Sequence, residues 1–449
     1  MSPFDSLPLR PQLFKALSRL GFTTMTQIQS DALPSILAGK NVIARSATGS
    51  GKTLAFSLGV LEKIDPKRFE VQALLLCPTR ELAEQVAKTI RSLASEIGNV
   101  KVLSLCGGVP MRGQIHSLKH GAHIIVGTPG RVLKLLQIDA LSLSAVNTAV
   151  LDEADHMIDM GFIEDISAIL EYVQRDAQHL LFSATYPETI LSLASTIIKD
   201  PVFIHSENPV QLPGIDEIAY RCTGDRPSAV ASIMAAHDLS GVMIFCNTKI
   251  QTDELCSALN KAGIHALALH GDMEQFDRNE AIIQFRNGSV TALVATDVAG
   301  RGIDIDGLDA IINYDVPTQK ERYVHRIGRT GRAGKSGLAI TLCDDETLLR
   351  AIGIDLPLQP LGDAAQQPLP RTSMQTLCID AGRKEKLRAG DIVGALIHEC
   401  ALTKEQIGKI DQLDHLSYVA LPRSLGEKIY QKLKNRPIKG RNFRLWLLD

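Results

Sequence analysis

Between residues 41 and 343 the chain alternates short, unbroken apolar runs with helical stretches, and that alternation decides its fold class. The runs "NVIARS", "VQALLLC", "VKVLSLC", "AHIIVGT", "NTAVLDE" and "HLLFSAT" come first; "GVMIFCN", "IHALALH", "VTALVATD", "DAIINYD" and "GLAITLC" form a second series. Continuous rather than alternating hydrophobicity marks strands covered on both faces, the condition of a parallel sheet. A Pro-containing joint, "SENPVQLPG" at 206–214, separates the series. The reading is two α/β domains with parallel sheets, about 1–206 and 215–360. Ligand sites in such sheets gather at the carboxyl ends of the strands.

A chain of 449 residues has room for about three domains, each burying its own core. After the second series, "LPLQPLGDAAQQPLPRTS" (356–373), with four prolines and little periodicity, reads as a linker. Residues 374–449 then read as a compact βαββαβ-like α+β domain. Net charge is −2, unevenly spread: residues 371–449 carry 15 Lys+Arg against 9 Asp+Glu, a net of +6, which leaves −8 for the rest. A small basic module follows an acidic body. The eight cysteines are scattered, several inside apolar runs, and none sits at a C-x-x-C spacing, so buried reduced thiols are expected rather than metal ligands or disulfides. No apolar run approaches the ~18–20 residues that span a bilayer, and "MSPFDSLPLR" lacks the layout of a signal peptide. A soluble, cytoplasmic protein is expected, and no oligomerisation surface is evident, which favours a monomer.

"NVIARSATGSGKTLAF" places glycines between a strand and a helix. Gly49 and Gly51 let the backbone turn so that its N–H groups meet phosphate oxygens at the positive end of the helix. Lys52 would reach the β- and γ-phosphates and the Thr53 hydroxyl would ligate Mg²⁺. Ser46 stands where the usual phosphate-loop pattern has Gly or Ala, a small change that the loop should survive. "NTAVLDEADHMIDMGF" is an apolar strand ending in Asp152 and Glu153. A carboxylate at that strand tip can hold Mg²⁺ while its neighbour polarises an attacking water. Asp155 would support them; three acids at a buried strand end are costly without cations.

The letters D-E-A-D at 152–155 resemble the signature of the DEAD-box RNA helicases, and the resemblance runs from residue 4 to about 345 with the family's motifs in order. It implies two RecA-like domains and the cofactors ATP and Mg²⁺. In the first half "GFTTMTQIQ" (21–29) is similar to the Q motif: Gln29 would read the adenine edge, and Phe22 or Phe4 would supply an aromatic face. Met25 stands where the family usually has Pro. Ala47, Thr48, Gly49, Ser50, Gly51, Lys52 and Thr53 would cradle the phosphates. "PTREL", Gly107-Gly108 and "TPGR" resemble RNA-contacting motifs, which assigns Thr79, Arg80, Gly108, Thr128 and Arg131 to successive phosphates, contacts that position a strand without reading its bases. "SAT" (183–185) resembles the motif in which Ser183 and Thr185 couple ATP state to domain closure.

In the second half "IFCNT", Gln275 with Arg278, "ATDVAGRGID" and "HRIGRTGR" continue the match. Thr248, Arg278 and Thr296 would grip the same RNA strand. His325, Arg329 and Arg332 fall at catalytic positions, the two arginines as fingers. A finger supplied from a facing domain is worth roughly 10³–10⁵ in rate. Gly302 and Asp304 would touch the ribose or support the water, and Gly300 replaces the usual Ala. Two domains that each hold part of the ATP and part of one RNA strand form a clamp, so local strand separation is expected. A DNA helicase of the same superfamily and an ATP-gated RNA clamp or assembly scaffold remain alternatives.

The order of the last domain resembles an RNA-recognition (RRM-like) module, but "TLCID" has no aromatic and "LSYVALP" offers only Tyr418, which argues against base stacking on its sheet. It is instead rich in cations: Arg383, Lys384, Lys386 and Arg388 near the first strand–helix junction, and Lys428, Lys432, Lys434, Arg436, Lys439 and Arg441 further on. Trp446 is read as core. "KEKLRAGDIVGAL" is similar to the tail of the DbpA subgroup of the family. That likeness implies tethering to a structured hairpin of 23S rRNA on pre-50S particles and a part in large-subunit assembly.

Overall fold

The computed structural model describes residues 3–46, 50–185, 194–195, 198–205, 214–300, 308–331, 337–361 and 368–448. Ala47, Thr48, Gly49, Gly302, Asp304 and Arg332 lie outside them. The chain divides into two compact units, Met1–Gln211 and Leu212–Asp449.

The first unit holds a seven-stranded sheet of β1 (Val42–Arg45), β2 (Ala73–Leu76), β3 (Val102–Leu105), β4 (Ile124–Gly127), β5 (Thr148–Leu151), β6 (Gln178–Ser183) and β7 (Val202–His205). Their order is β3-β4-β2-β5-β6-β1-β7, every pair parallel. Successive residues serve opposite cores: Val42, Ala44, Ala73 and Leu75 pack on one face, Ile43, Leu74 and Leu76 on the other. That two-sided burial is why these runs show no polar alternation.

The second unit repeats the plan with β8 (Ile215–Arg221), β9 (Val242–Cys246), β10 (Ala266–Leu269), β11 (Ala292–Thr296), β12 (Ala310–Asn313), β13 (Gly337–Cys343) and β14 (Leu358–Pro360). The order is β10-β11-β9-β12-β13-β8-β14, again parallel. Every apolar run named from the sequence is a strand. The strands not foreseen, β7, β8 and β14, lie at or next to a sheet edge and are only partly buried, so their sequences ("VFIH", "IDEIAYR", "LQP") lack the continuous apolar signal. β14 also corrects the linker: three of its residues pair with β8, and Leu361 and Leu369 pack against the second sheet's core.

The same unit contains a four-stranded antiparallel sheet, order β16-β17-β15-β18, built from β15 (Met374–Ile379), β16 (Ile410–Gln412), β17 (Ser417–Pro422) and β18 (Leu445–Leu447). Helices Ala389–Cys400 and Gly426–Leu433 complete the βαββαβ order. One sheet face packs Leu377, Ile379, Val419 and Leu421 against Ile392, Leu396, Ile429 and Leu433 of these helices. The other face is covered by the second domain. Ile283, on helix Gln275–Arg286, packs against Cys378 and Tyr418, with Trp446 at the margin. Beside them Asn287 Nδ2 donates to Thr376 Oγ1 (2.9 Å), Ser289 Oγ and Thr376 Oγ1 share a 2.7 Å bond, and Arg423 Nη2 donates to the Ser289 carbonyl (3.1 Å).

All eight cysteines are free thiols, with Cys256 alone half-buried and the rest buried. No described helix is long and apolar enough to cross a membrane.

Ile283→Asp would set an unpaired carboxylate against Cys378 and Tyr418, a cost of several kcal/mol. The expected outcome is release of the last module, read as accelerated tryptic cleavage after exposed Arg371 while the first unit stays intact.

Candidate nucleotide and RNA sites

β1 runs into the phosphate loop, and the helix Lys52–Lys63 follows it. Gly51 caps that helix at φ +96°, a conformation that glycine alone adopts freely, and a Cβ there would come within 2.4 Å of the Gln29 amide nitrogen. Gln29, 3% exposed, uses its whole amide locally: Oε1 accepts from the Thr26 N–H (2.9 Å) and Nε2 donates to the Gly51 carbonyl (3.0 Å). Gln29, the residue expected at the nucleobase, is thus tied to Gly51 at the end of the candidate phosphate loop. Ser46 is accommodated by a 2.5 Å bond with the Ser50 hydroxyl. Of the two candidate aromatic faces, Phe4 is buried in the core and Phe22 is exposed.

Lys52 is buried, and its ammonium finds no hydrogen-bond acceptor among the described residues. Nearby, burial first, then Glu153 and Asp155, push the Asp152 carboxyl up to about 7, opposed by Lys52. A buried cation beside a buried carboxylate held that high is the donor set that a nucleotide phosphate with a hard divalent cation would complete. Thr53, half-buried on the first helical turn, is the accompanying hydroxyl.

Glu153 sits at φ +51°, a costly conformation for a residue with a Cβ, as N-cap of helix Ala154–Asp159. Its Oε2 lies 3.5 Å from Nδ1 of His156, a buried imidazole that sequence reading passed over. Asp155 faces the other way: Oδ2 accepts from both the Thr185 N–H and hydroxyl (3.0 Å each), and the Ser183 hydroxyl accepts from the Asp155 N–H (3.3 Å) and donates to the Thr185 carbonyl (2.6 Å). The acidic turn and the "SAT" turn are therefore one hydrogen-bonded piece.

The first sheet's order sorts the remaining candidates. Thr79 and Arg80 follow β2, Gly108 follows β3, and Thr128 and Arg131 follow β4, so the RNA candidates occupy the β3-β4-β2 side. The phosphate candidates follow β1, the acidic candidates follow β5 and the coupling pair Ser183 and Thr185 stands at the end of β6, while Phe4, Phe22 and Gln29 precede β1. Thr79 and Thr128 are helix N-caps, both nearly buried; Arg131 donates to the Val109 carbonyl (3.1 Å) and to Gln114 (2.6 Å), which aims the loop after Gly108. In the second sheet Arg278 follows β10, Thr296 ends β11 and Thr248 follows β9, again three adjoining strands. Thr248 is exposed and caps the next helix through Gln251; Thr296 is 8% exposed. His325 is half-buried on helix Lys320–Ile327, and Arg329, 4% exposed, lies just past its end.

In the last module Arg383, Lys384, Lys386 and Arg388 are all exposed. Lys384 pairs with Asp414 (3.2 Å), and Lys386 adopts φ +60°. In the second run Lys439 pairs with Asp391 (2.9 Å) and Arg436 with Glu399 (3.7 Å).

Three stretches of the chain match known families. The DEAD/DEAH box helicase profile matches residues 26–193, the helicase conserved C-terminal domain 225–334, and the DbpA RNA binding domain 376–447. The chain is 44% identical to "ATP-dependent RNA helicase DbpA" of Escherichia coli, covering 100% of both. It is 42% identical to "DEAD-box ATP-dependent RNA helicase CshA" of Geobacillus kaustophilus, over 76% of this chain and 73% of that one. Among solved structures, S. cerevisiae Dbp5 bound to RNA and ADP BeF3 superposes with a TM-score of 0.74 at 31% identity, covering 82% of this chain and 97% of that one. Mss116p bound to ssRNA and AMP-PNP gives 0.70 at 29%, covering 80% and 79%.

Thr185→Val deletes one donor to Asp155 and keeps the other. It should cost about 1 kcal/mol of first-unit stability, seen as a lower urea midpoint at unchanged slope.

Proposed function

Because this chain belongs to the DEAD-box ATP-dependent RNA helicases and ends in a DbpA RNA-binding domain, we propose that it separates RNA strands locally, at a place chosen by its last module. The observation that supports this reading is the sorting of phosphate and RNA candidates onto neighbouring strand ends of one sheet. Phosphates bound by Lys52 and the N–H groups at the head of its helix, with Mg²⁺ held by Thr53 and Asp152, satisfy the buried charges described above. Mg²⁺ supplies charge neutralisation at the β- and γ-phosphates. Glu153, fixed by its strained turn, orients and deprotonates the attacking water, and Asp155 transmits the state of that turn to Ser183 and Thr185. Gln29 exchanges its bond to Gly51 for the adenine edge, so base recognition and loop conformation change together. Arg329 and Arg332 complete the charge stabilisation when ATP and RNA draw the two units together, and phosphate release reverses it.

Thr79, Arg80, Gly108, Thr128 and Arg131, with Thr248, Arg278 and Thr296, hold one RNA strand by its backbone. Such a grip is blind to sequence. The address comes from the last module, and we infer that it is a structured hairpin of 23S rRNA on pre-50S particles, met in the cytoplasm by a monomer. The likeness of "KEKLRAGDIVGAL" to the DbpA subgroup's tail and the exposed Arg383, Lys384, Lys386 and Arg388 support this.

Glu153→Gln should lower RNA-stimulated kcat by roughly 10²–10⁴ while ATP and RNA still bind. In single-turnover duplex assays, wild-type protein that hydrolyses ATP yet releases no strand would assign it to the clamp class instead, and equal stimulation by DNA would remove the RNA preference. Replacing Arg383, Lys384, Lys386 and Arg388 by Gln should weaken stimulation by a 23S hairpin, flatten its salt dependence by roughly 0.7 log units per lost phosphate contact, and leave RNA-free hydrolysis unchanged. Truncation near residue 370 is a blunter test, since it would expose Ile283 and strand Asn287.

A further inference from the structure

Arg326 was not among the residues singled out from the sequence, yet it is 1% exposed and heads the large, fully buried side chains among the described residues. Taking a guanidinium out of water costs several kcal/mol, recovered only when every donor is matched. Here each nitrogen is matched. Nε donates to Asp297 Oδ1 (2.5 Å) and Nη2 to Asp297 Oδ2 (2.9 Å), a bidentate pair. Nη2 also reaches Asn247 Oδ1 (2.8 Å), and Nη1 reaches the Asp315 carbonyl (2.7 Å) and Asn313 Oδ1 (3.4 Å). The guanidinium lies 5.3 Å from the centre of the Phe245 ring.

The partners have one thing in common. Asn247 immediately precedes Thr248 at the end of β9, Asp297 immediately follows Thr296 at the end of β11, and Asn313 ends β12. These three strands adjoin in the sheet. Arg326 itself rides on helix Lys320–Ile327, three residues before Arg329. A second set of bonds closes the ring: the Asn247 N–H donates to Asp315 Oδ2 (2.9 Å), and Arg226 Nη1 donates to Asp315 Oδ1 (3.2 Å). As a stability device this is a poor choice, because a buried ion pair is commonly no better than well-packed apolar side chains. As a spacer it is apt: the planar fork fixes distance and angle to several groups at once, which an ammonium cannot do.

We propose that Arg326 is a positioning residue that sets Thr248 and Thr296 at a fixed spacing and holds the turn bearing Arg329 to the same frame, so that RNA grip and hydrolysis depend on one buried guanidinium. The inference rests on the reading of those threonines as RNA contacts and of Arg329 as a finger. It requires no contact of Arg326 with either ligand.

The test is RNA-stimulated ATPase of the full chain with a single-stranded RNA, comparing Arg326→Lys, Asn247→Ala, Thr248→Val and Thr296→Val with wild type. A variant that is only partly folded binds RNA with its apparent affinity reduced by the folded fraction, so half-saturating RNA is compared only among variants whose urea curves show them folded under the assay conditions, where a loss of stability alone cannot move it appreciably. Arg326→Lys keeps the charge and loses the fork; it should raise half-saturating RNA roughly tenfold or more and lower kcat, since small misplacements of contact groups cost up to about 10²-fold. Asn247→Ala removes one arm beside Thr248 and keeps the Asp297 pair, so it should give a smaller rise in the same direction and serves if the lysine variant does not fold. Unchanged half-saturating RNA in the folded Arg326 or Asn247 variants, with a rise in the threonine variants, overturns the positioning role. No rise in the threonine variants overturns instead the assignment of those residues to RNA.

Discussion

The constraint on which the molecule depends is that strands buried on both faces can expose chemistry only at their ends. In each large sheet the carboxyl ends lead into helix N-termini, where unpaired backbone N–H groups face outward. Gly51 before its helix, Thr79, Thr128 and Thr248 as N-caps, and Glu153 at its strained turn all stand at that edge. Within each sheet the parallel arrangement puts its own members on the same side. Recognition of phosphate, whether of a nucleotide or of an RNA backbone, is thus an outgrowth of the fold more than an addition to it.

What was legible in the sequence follows the same line. Runs such as "ALLL" and "VMIFC" announced central strands because both faces are buried; "IDEIAYR" did not, since near the edge only Ala219 of β8 is buried and its other residues are half-buried or exposed. Candidate residues fixed by local pattern, such as Lys52 after its glycines and Asp152 at a strand tip, could be placed from the sequence where the fold puts them. Distant pairings could not. Gln29, expected at the nucleobase, also meets Gly51 across 22 positions, and Arg326, absent from the candidates, meets Asn247 across 79. A buried Arg within a polar run carries no hydropathic sign that it is buried. Its one visible clue is its place inside "HRIGRTGR", between His325 and Arg329.

The last module shows how a composition-based reading can be right about a surface and silent about the cause. The poverty of aromatics on "TLCID" and "LSYVALP" argued against base stacking there. The structure supplies the reason: Tyr418 is 1% exposed, and its sheet face meets Ile283, Asn287 and Ser289 of the second domain. A face committed to protein leaves nucleic acid the edges and loops, where Arg383, Lys384, Lys386 and Arg388 lie.

That seam has a consequence for how an address works. A module on a slack tether raises the local concentration of its cargo over a sphere whose radius the linker sets. A module docked through Thr376, Cys378 and Tyr418 instead confers a direction. Any RNA that such a module held would leave it along a bounded set of paths rather than over a sphere. The choice of which neighbouring strand is reached then becomes a matter of angle, written into a few buried side chains between Ile283 and Ser289.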